Sequence, residues 1–164
     1  MVAKTKRPKK QQVGIPKQIS GMVGVYHVAC ELSRRGYIAL PTNRNVAGID
    51  IVVCNQKGLN QTILQLKTQQ KKADFWLVNG PVPDYMKNSR RAFYVFVRLD
   101  KKQDKFECFI ASTKDVAKQI EGYVKDWYKT HSKKTKPNNW TYSWYLPRGK
   151  ETYYLNRWDK LRLD

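Results

Sequence analysis

Apolar residues recur along this chain in two rhythms, and the switch between them lays out its elements. Met22, Val25, Val28, Ala29 and Leu32 return at three- and four-residue intervals, which predicts an amphipathic helix over about residues 21–35. Gly36, after Arg34 and Arg35, is the expected helix stop. Tyr37 to Pro41 reads as a short strand. Residues 48–55 and 62–68 are rich in β-branched and aliphatic side chains, and Gly58 and Asn60 between them favour a turn, so the two segments form a predicted β-hairpin. Residues 74–78 make another short strand, broken by Gly80 and Pro81. From Ala92 to Leu99 aromatic and aliphatic residues are so dense that both faces must be covered, as in a central strand. Phe106 to Ile110 supplies a neighbour. Ser112 or Thr113 can then cap a helix carrying Val116, Ile120, Val124 and Trp127. Residues 1–18 show no apolar period and are rich in Lys and Arg, which predicts a flexible basic arm ahead of one α/β domain over residues 19–164.

The hairpin carries the most informative polar residues. A turn centred near Lys57 and Gly58 sets Asp50 opposite Gln65, with their Cβ atoms about 5 Å apart on one face, and Lys67 shares that face two residues on. An acid, an amide and an ammonium then converge. The same spacing also suits an ordinary hairpin with a wet face.

The order helix, Gly48-x-Asp50 strand and Gln65-x-Lys67 strand resembles the PD-(D/E)xK nuclease superfamily over about residues 20–70. The run from Phe93 to Asp100 and the closing Arg157 to Leu161 are similar to the C-terminal part of small bacterial members. The resemblance implies a restriction-endonuclease-like fold, a mixed β-sheet flanked by helices with an αβββαβ core, and Mg²⁺- or Mn²⁺-dependent cleavage of a phosphodiester backbone. On that pattern Asp50 is the principal metal ligand, Gln65 and the main-chain carbonyl of Leu66 are weaker oxygen ligands, and Lys67 is the catalytic cation. Such oxygen donors suit a hard cation that keeps several waters. Arg44 and Asn45 in the preceding loop, and Thr68, Gln69, Lys71 and Lys72 after the motif, become candidates for contacting nucleic acid. The chain departs from the family at Val25, where many members carry Glu. Glu31, on the same helix, is the other acid the pattern can enlist, though it lies about 240° around the axis from Val25. This departure keeps a second reading open, a nucleic-acid-binding module that retains the fold without the chemistry.

Charge points to the same partner independently. The 164 residues hold 32 Lys and Arg against 13 Asp and Glu, a net charge of +19. Basic residues spread along the whole chain are the footprint of a phosphate-backbone binder, with DNA the expected partner. An acidic protein partner is the remaining class. Neither an apolar run of membrane-spanning length nor a signal peptide is present, so the expected location is the cytoplasm. Family relatives often cut as dimers, which makes a homodimer a further expectation.

Cys30, Cys54 and Cys108 are expected to be small buried apolar residues, and His27 with Cys30 could begin a zinc site but lacks a second ligand pair. Between Lys125 and Lys150, cations alternate with Trp127, Tyr128, Trp140, Tyr142, Trp144 and Tyr145. Such aromatics can stack on unpaired bases or close a small core.

Overall fold

The computed structural model describes residues 15–43, 48–70, 73–78, 80–100, 105–131 and 142–164. Most of the expected basic arm lies outside these residues, and the helix begins inside its expected limit, at Lys17. Helix α1 (Lys17–Arg34) leads into β1 (Ile38–Pro41), β2 (Ile51–Cys54) and β3 (Thr62–Gln69). Then come β4 (Phe75–Val78), the one-turn α2 (Asp84–Lys87), β5 (Ala92–Asp100), β6 (Lys105–Ser112) and α3 (Thr113–Thr130). Strand β7 (Tyr142–Tyr145), a short α4 (Glu151–Tyr154) and a 3-10 turn (Trp158–Leu161) close the chain.

A five-stranded sheet in the order β1-β2-β3-β5-β6 forms the centre, and β4 pairs with β7 in a second, two-stranded sheet. All neighbours in the large sheet are antiparallel except β3 and β5, which are parallel. The fold is therefore a mixed sheet flanked by helices, as expected. With β4 set aside, the chain follows the expected αβββαβ order from α1 to β5. The crossover helix is reduced to α2, and β4, β7 and α3 cover the face that a longer helix would have covered.

Two apolar layers hold the sheet. On one face Val28 and Leu32 of α1 pack with Ile51, Val53, Leu64, Leu66, Val95 and the C-terminal Trp158, Leu161 and Leu163. On the other, Trp76 and Trp144 meet Phe96, Phe109, Val116, Ile120 and Met86. Trp144 stacks on Phe96 with ring centroids 4.1 Å apart, and Trp76 Nε1 donates to the Val97 carbonyl at 3.1 Å. Of the aromatic C-terminal stretch, Trp144 is thus core, Tyr128 and Tyr145 are exposed, and Trp140 lies outside the described residues. No helix among the described residues is long and apolar enough to cross a membrane.

The buried stripe of α1 is Ser20, Gly24, Val28 and Leu32. Met22 belongs to a cavity wall rather than to the core. Gly24 explains the shift: a Cβ there would fall onto Thr68 Oγ1, so the helix approaches β3 more closely than any side chain permits. The helix ends as expected at Gly36, with φ of +85°. Ser112 caps α3 by accepting from Asp115 N at 3.1 Å, while the Thr113 hydroxyl donates to the Met86 carbonyl and ties α3 to α2. Cys54 and Cys108 are buried as expected, whereas Cys30 is exposed. His27 stacks on Phe106 at 3.9 Å, an apolar contact in place of a metal ligand's role.

Replacing Gly24 by Ala is expected to cost about 2–3 kcal/mol of stability through overpacking, measured by urea unfolding. Adding Thr68→Ala should restore part of the loss.

Candidate active site

Pairing of Ile51 with Leu64 and Val53 with Thr62 fixes the hairpin register, and one step further along the same ladder Asp50 faces Gln65. The backbone continues that far, since Asp50 N donates to the Leu64 carbonyl at 2.8 Å. Because Ile51 and Val53 face α1, alternation turns Asp50 to the opposite face. Gln65 and Lys67 lie on that face too, in register with Tyr94 and Phe96 of β5. Asp50, just past the end of β2, reaches this pair from the strand's edge: it bonds the Gln65 amide, and its charge acts on Lys67.

Their contacts are specific. Asp50 Oδ2 accepts from Gln65 Nε2 and from Leu66 N, the latter at 2.6 Å. Gln65 therefore presents its amide nitrogen to the acid, where a metal ligand would present the oxygen. Leu64 turns its carbonyl and Leu66 its N–H toward the Asp50 segment, and Asp50 itself lies just past the end of β2 at Ile51. Among the described residues no hydrogen bond or ion pair engages the Lys67 ammonium.

Burial acts on both charges. Desolvation raises the Asp50 carboxyl above its usual range against the Leu66 amide, Lys67 and Gln65, which pull it down. Desolvation likewise lowers Lys67, with Lys17 adding to the shift and Asp50 opposing it. The charged forms are thus both disfavoured by the surroundings and only partly reconciled by each other.

Gly48 of the Gly-x-Asp segment has φ of +81°, and an added Cβ would strike the Tyr85 hydroxyl and approach Gln65 Oε1. Tyr85, on α2, and Tyr94 are site residues that the sequence reading did not single out. The Tyr94 phenol is pushed up to about 12 by burial, with Tyr85 and Asp50 contributing. On the α1 side, Asp50 also lines a cavity of about 200 Å³ with Val25, Tyr26, Thr42, Leu66 and Thr68. Thr42 closes the loop by donating its hydroxyl to the Ile49 carbonyl and its amide to the Asp50 carbonyl.

Three of the expected assignments change. Glu31 is held by Arg34 and Arg35 near the helix C-terminus, and this ion pairing keeps it from the Asp50 cluster. Thr68 turns under α1 against Gly24, and its buried Oγ1 has no partner, so it is not part of a phosphate-contacting rim. Gln69 donates to the Ala73 carbonyl at 2.6 Å and braces the turn after β3. Arg44, Asn45, Lys71 and Lys72 lie outside the described residues.

A divalent cation fits this donor set sparsely. Asp50 offers Oδ1, which accepts no hydrogen bond among the described residues, and the Leu66 carbonyl and a reoriented Gln65 amide are the other oxygens. Among the described residues no group of three or more His, Cys, Asp or Glu gathers at one point. One carboxylate suits a Mg²⁺ that keeps most of its waters and relies on substrate phosphate.

No protein-family model matches the chain, and no curated protein matches it. Among solved structures, a bacterial homing endonuclease aligns with a TM-score of 0.46 and 12% identity, over 88% of this chain and 91% of that chain. That likeness is too loose to define a common fold.

The sign of the two shifts makes a stability prediction. With Asp50 raised, its contribution is fullest in acid and falls as pH climbs through the elevated titration; with Lys67 lowered, its contribution is fullest in alkali and falls as pH drops through the depressed titration. Asp50→Asn and Lys67→Met are each expected to stabilise the fold by about 1 kcal/mol at pH 7, raising the melting temperature by roughly 2–4 °C. Calorimetry checks this, and for Asp50→Asn the gain should shrink as pH falls.

Proposed function

We propose that the chain binds DNA and hydrolyses its phosphodiester backbone with Mg²⁺ or Mn²⁺, as a member of the PD-(D/E)xK group. The observation that carries this reading is the half-buried Lys67 ammonium, which makes no hydrogen bond among the described residues and feels the charge of the Asp50 carboxylate. A hard cation at Asp50 supplies Lewis acidity toward a phosphate oxygen. Asp50 would hold such a cation through its carboxylate, with the Leu66 carbonyl and the Gln65 amide oxygen as the weaker donors. Lys67, whose ammonium makes no hydrogen bond among the described residues, stabilises charge that develops on the phosphate oxygens. Its pKa is lowered by burial, so the cationic role is lost at lower pH than for an exposed lysine. The Tyr85 and Tyr94 phenols border the acid and limit the water around it.

A second reading, a nucleic-acid-binding module without catalysis, draws support from the single carboxylate and from Val25. That valine lines the cavity beside Asp50, the place where the resemblance expects a second acid.

Nicking of supercoiled plasmid in Mg²⁺ or Mn²⁺ separates the two. Asp50→Ala and Lys67→Ala are each expected to lower the rate at least ~100-fold while DNA affinity, read by anisotropy, changes little. Unchanged cleavage in both variants removes the site, and salt-sensitive binding without any cleavage by the wild type selects the second reading. Val25→Glu supplies a complementary gain: the added acid should strengthen Mn²⁺ binding beside Asp50, seen as a larger Mn²⁺-induced rise in melting temperature than the wild type shows.

A further inference from the structure

A groove of about 690 Å³ opens where the start of β5 and the end of β6 meet the C-terminal segment. It is lined from β5 and β6, one and two strands across the sheet from β3, about 5–10 Å, and none of Asp50, Gln65 and Lys67 lines it. Its walls carry Lys87, Arg90, Lys114, Lys160 and Arg162 against one acid, Asp115. Lys87 is already paired with Glu121. Lys160 donates to the Tyr153 carbonyl and sits 3.5 Å from the centroid of the Tyr153 ring. The side chains of Arg90, Lys114 and Arg162 make no hydrogen bond or ion pair among the described residues.

Three features here are not required by the fold. Lys114 occupies the first turn of α3, where the helix macrodipole disfavours a cation. Arg162 has a left-handed backbone, φ 53° and ψ 49°. The turn itself has a structural cause, since Leu161 and Leu163 on either side are 0% and 2% exposed and Arg91 Nη1 donates to the Arg162 carbonyl. Nothing in that packing asks for an arginine, and Gly or Asn adopts the conformation with less strain. Tyr153 is 50% exposed and presents an aromatic ring at the groove with a cation over it.

We infer that this groove holds a single-stranded flank of the nucleic acid, with phosphates on Arg90, Lys114 and Arg162 and an unpaired base stacked on Tyr153. The inference rests on the nucleic-acid partner proposed above, and adds to it a second contact region and a strand type. Uncompensated cations in one groove repel one another, and a polyanion relieves that repulsion while releasing its own counterions. Stacking on a tyrosine face needs a base that is not locked in a duplex.

Anisotropy of a labelled mixed-sequence oligonucleotide, single-stranded or annealed, tests this in EDTA, where cleavage cannot intervene. The variant carrying Arg90→Gln, Lys114→Gln and Arg162→Gly should lose at least ~tenfold in single-strand affinity, and its slope of log affinity against log salt should be shallower by about 2, three contacts at ~0.7 each. Tyr153→Ala should weaken single-strand binding at least ~fivefold with the slope unchanged and the duplex unaffected. Arg162→Gly alone relaxes the backbone, so its melting temperature should be no lower than wild type while its slope falls by about 0.7; should the triple variant unfold early, this single variant decides. Wild-type affinity and slope in the triple variant, or in Arg162→Gly where that decides, overturn the groove even if Asp50→Ala has abolished cleavage. Equal losses on duplex and single strand in Tyr153→Ala overturn the strand type. Failure of the wild type to bind either oligonucleotide at low salt overturns the groove and the nucleic-acid reading together, leaving an acidic protein partner.

Discussion

The pairing of Ile51 with Leu64 is the constraint on which the site depends. Side chains alternate along a strand, so a slip of one residue between β2 and β3 would take Asp50 out of reach of the Gln65 amide and the Leu66 N–H that it accepts from. Two features defend the register. Ile51, Val53 and Leu64 are each 0% exposed beneath α1 and the C-terminal segment, and none can turn outward without emptying that layer. Beyond the hairpin, Gly24 lets α1 settle directly on Thr68, which pins the far end of β3. The strand that carries Gln65, Leu66 and Lys67 is therefore held from both ends, while the acid opposite sits just past the end of β2 with its backbone still paired.

That register was legible because the hairpin is local: the turn at Lys57 and Gly58 determines which residues face each other, and the pairing sum survives any uncertainty about strand ends. The central position of β5 and the Ser112 cap were legible for the same reason, since each depends on neighbours in sequence. What escaped is non-local. The partner of β4 is β7, more than sixty residues on, and no periodic signal links Trp76 to Trp144 before both are folded onto Phe96. Helix α2 is a single turn, too short to show a period, and with it the sequence hid the approach of Tyr85 to Gly48. Tyr94 lay inside a run that reads as pure core, where one hydroxyl among aromatic and aliphatic neighbours carries no distinguishing mark.

The misplaced rim residues have a common cause. Thr68 and Gln69 follow Lys67 in a polar stretch, and polarity alone suggested solvent. Strand alternation gave Thr68 to the helix side, where the missing Cβ of Gly24 brings the backbone of α1 over it, and Gln69 found a main-chain carbonyl four residues ahead. Glu31 shows the converse, an acid in a plausible helix that two adjacent arginines capture. In each case a nearby partner within the chain decided the role.

The two charged regions differ in a way that bears on the choice between cutting and binding alone. On the inferred reading, Arg90, Lys114 and Arg162 meet phosphate while largely solvated, and such contacts supply affinity without desolvating a charge beforehand. Lys67 is different, since burial lowers its pKa before any substrate arrives and Asp50 suffers the opposite shift close by. A module that only grips a backbone has no use for a half-buried acid, which repels phosphate, next to a lysine whose ammonium the protein destabilises. Both shifts are what a site needs if a cation is to neutralise the acid and a phosphate is to re-stabilise the ammonium in one event. On the proposed reading, the cost of holding these two charges half-buried is recovered when cation and substrate arrive, and the grip on nucleic acid is supplied elsewhere on the surface.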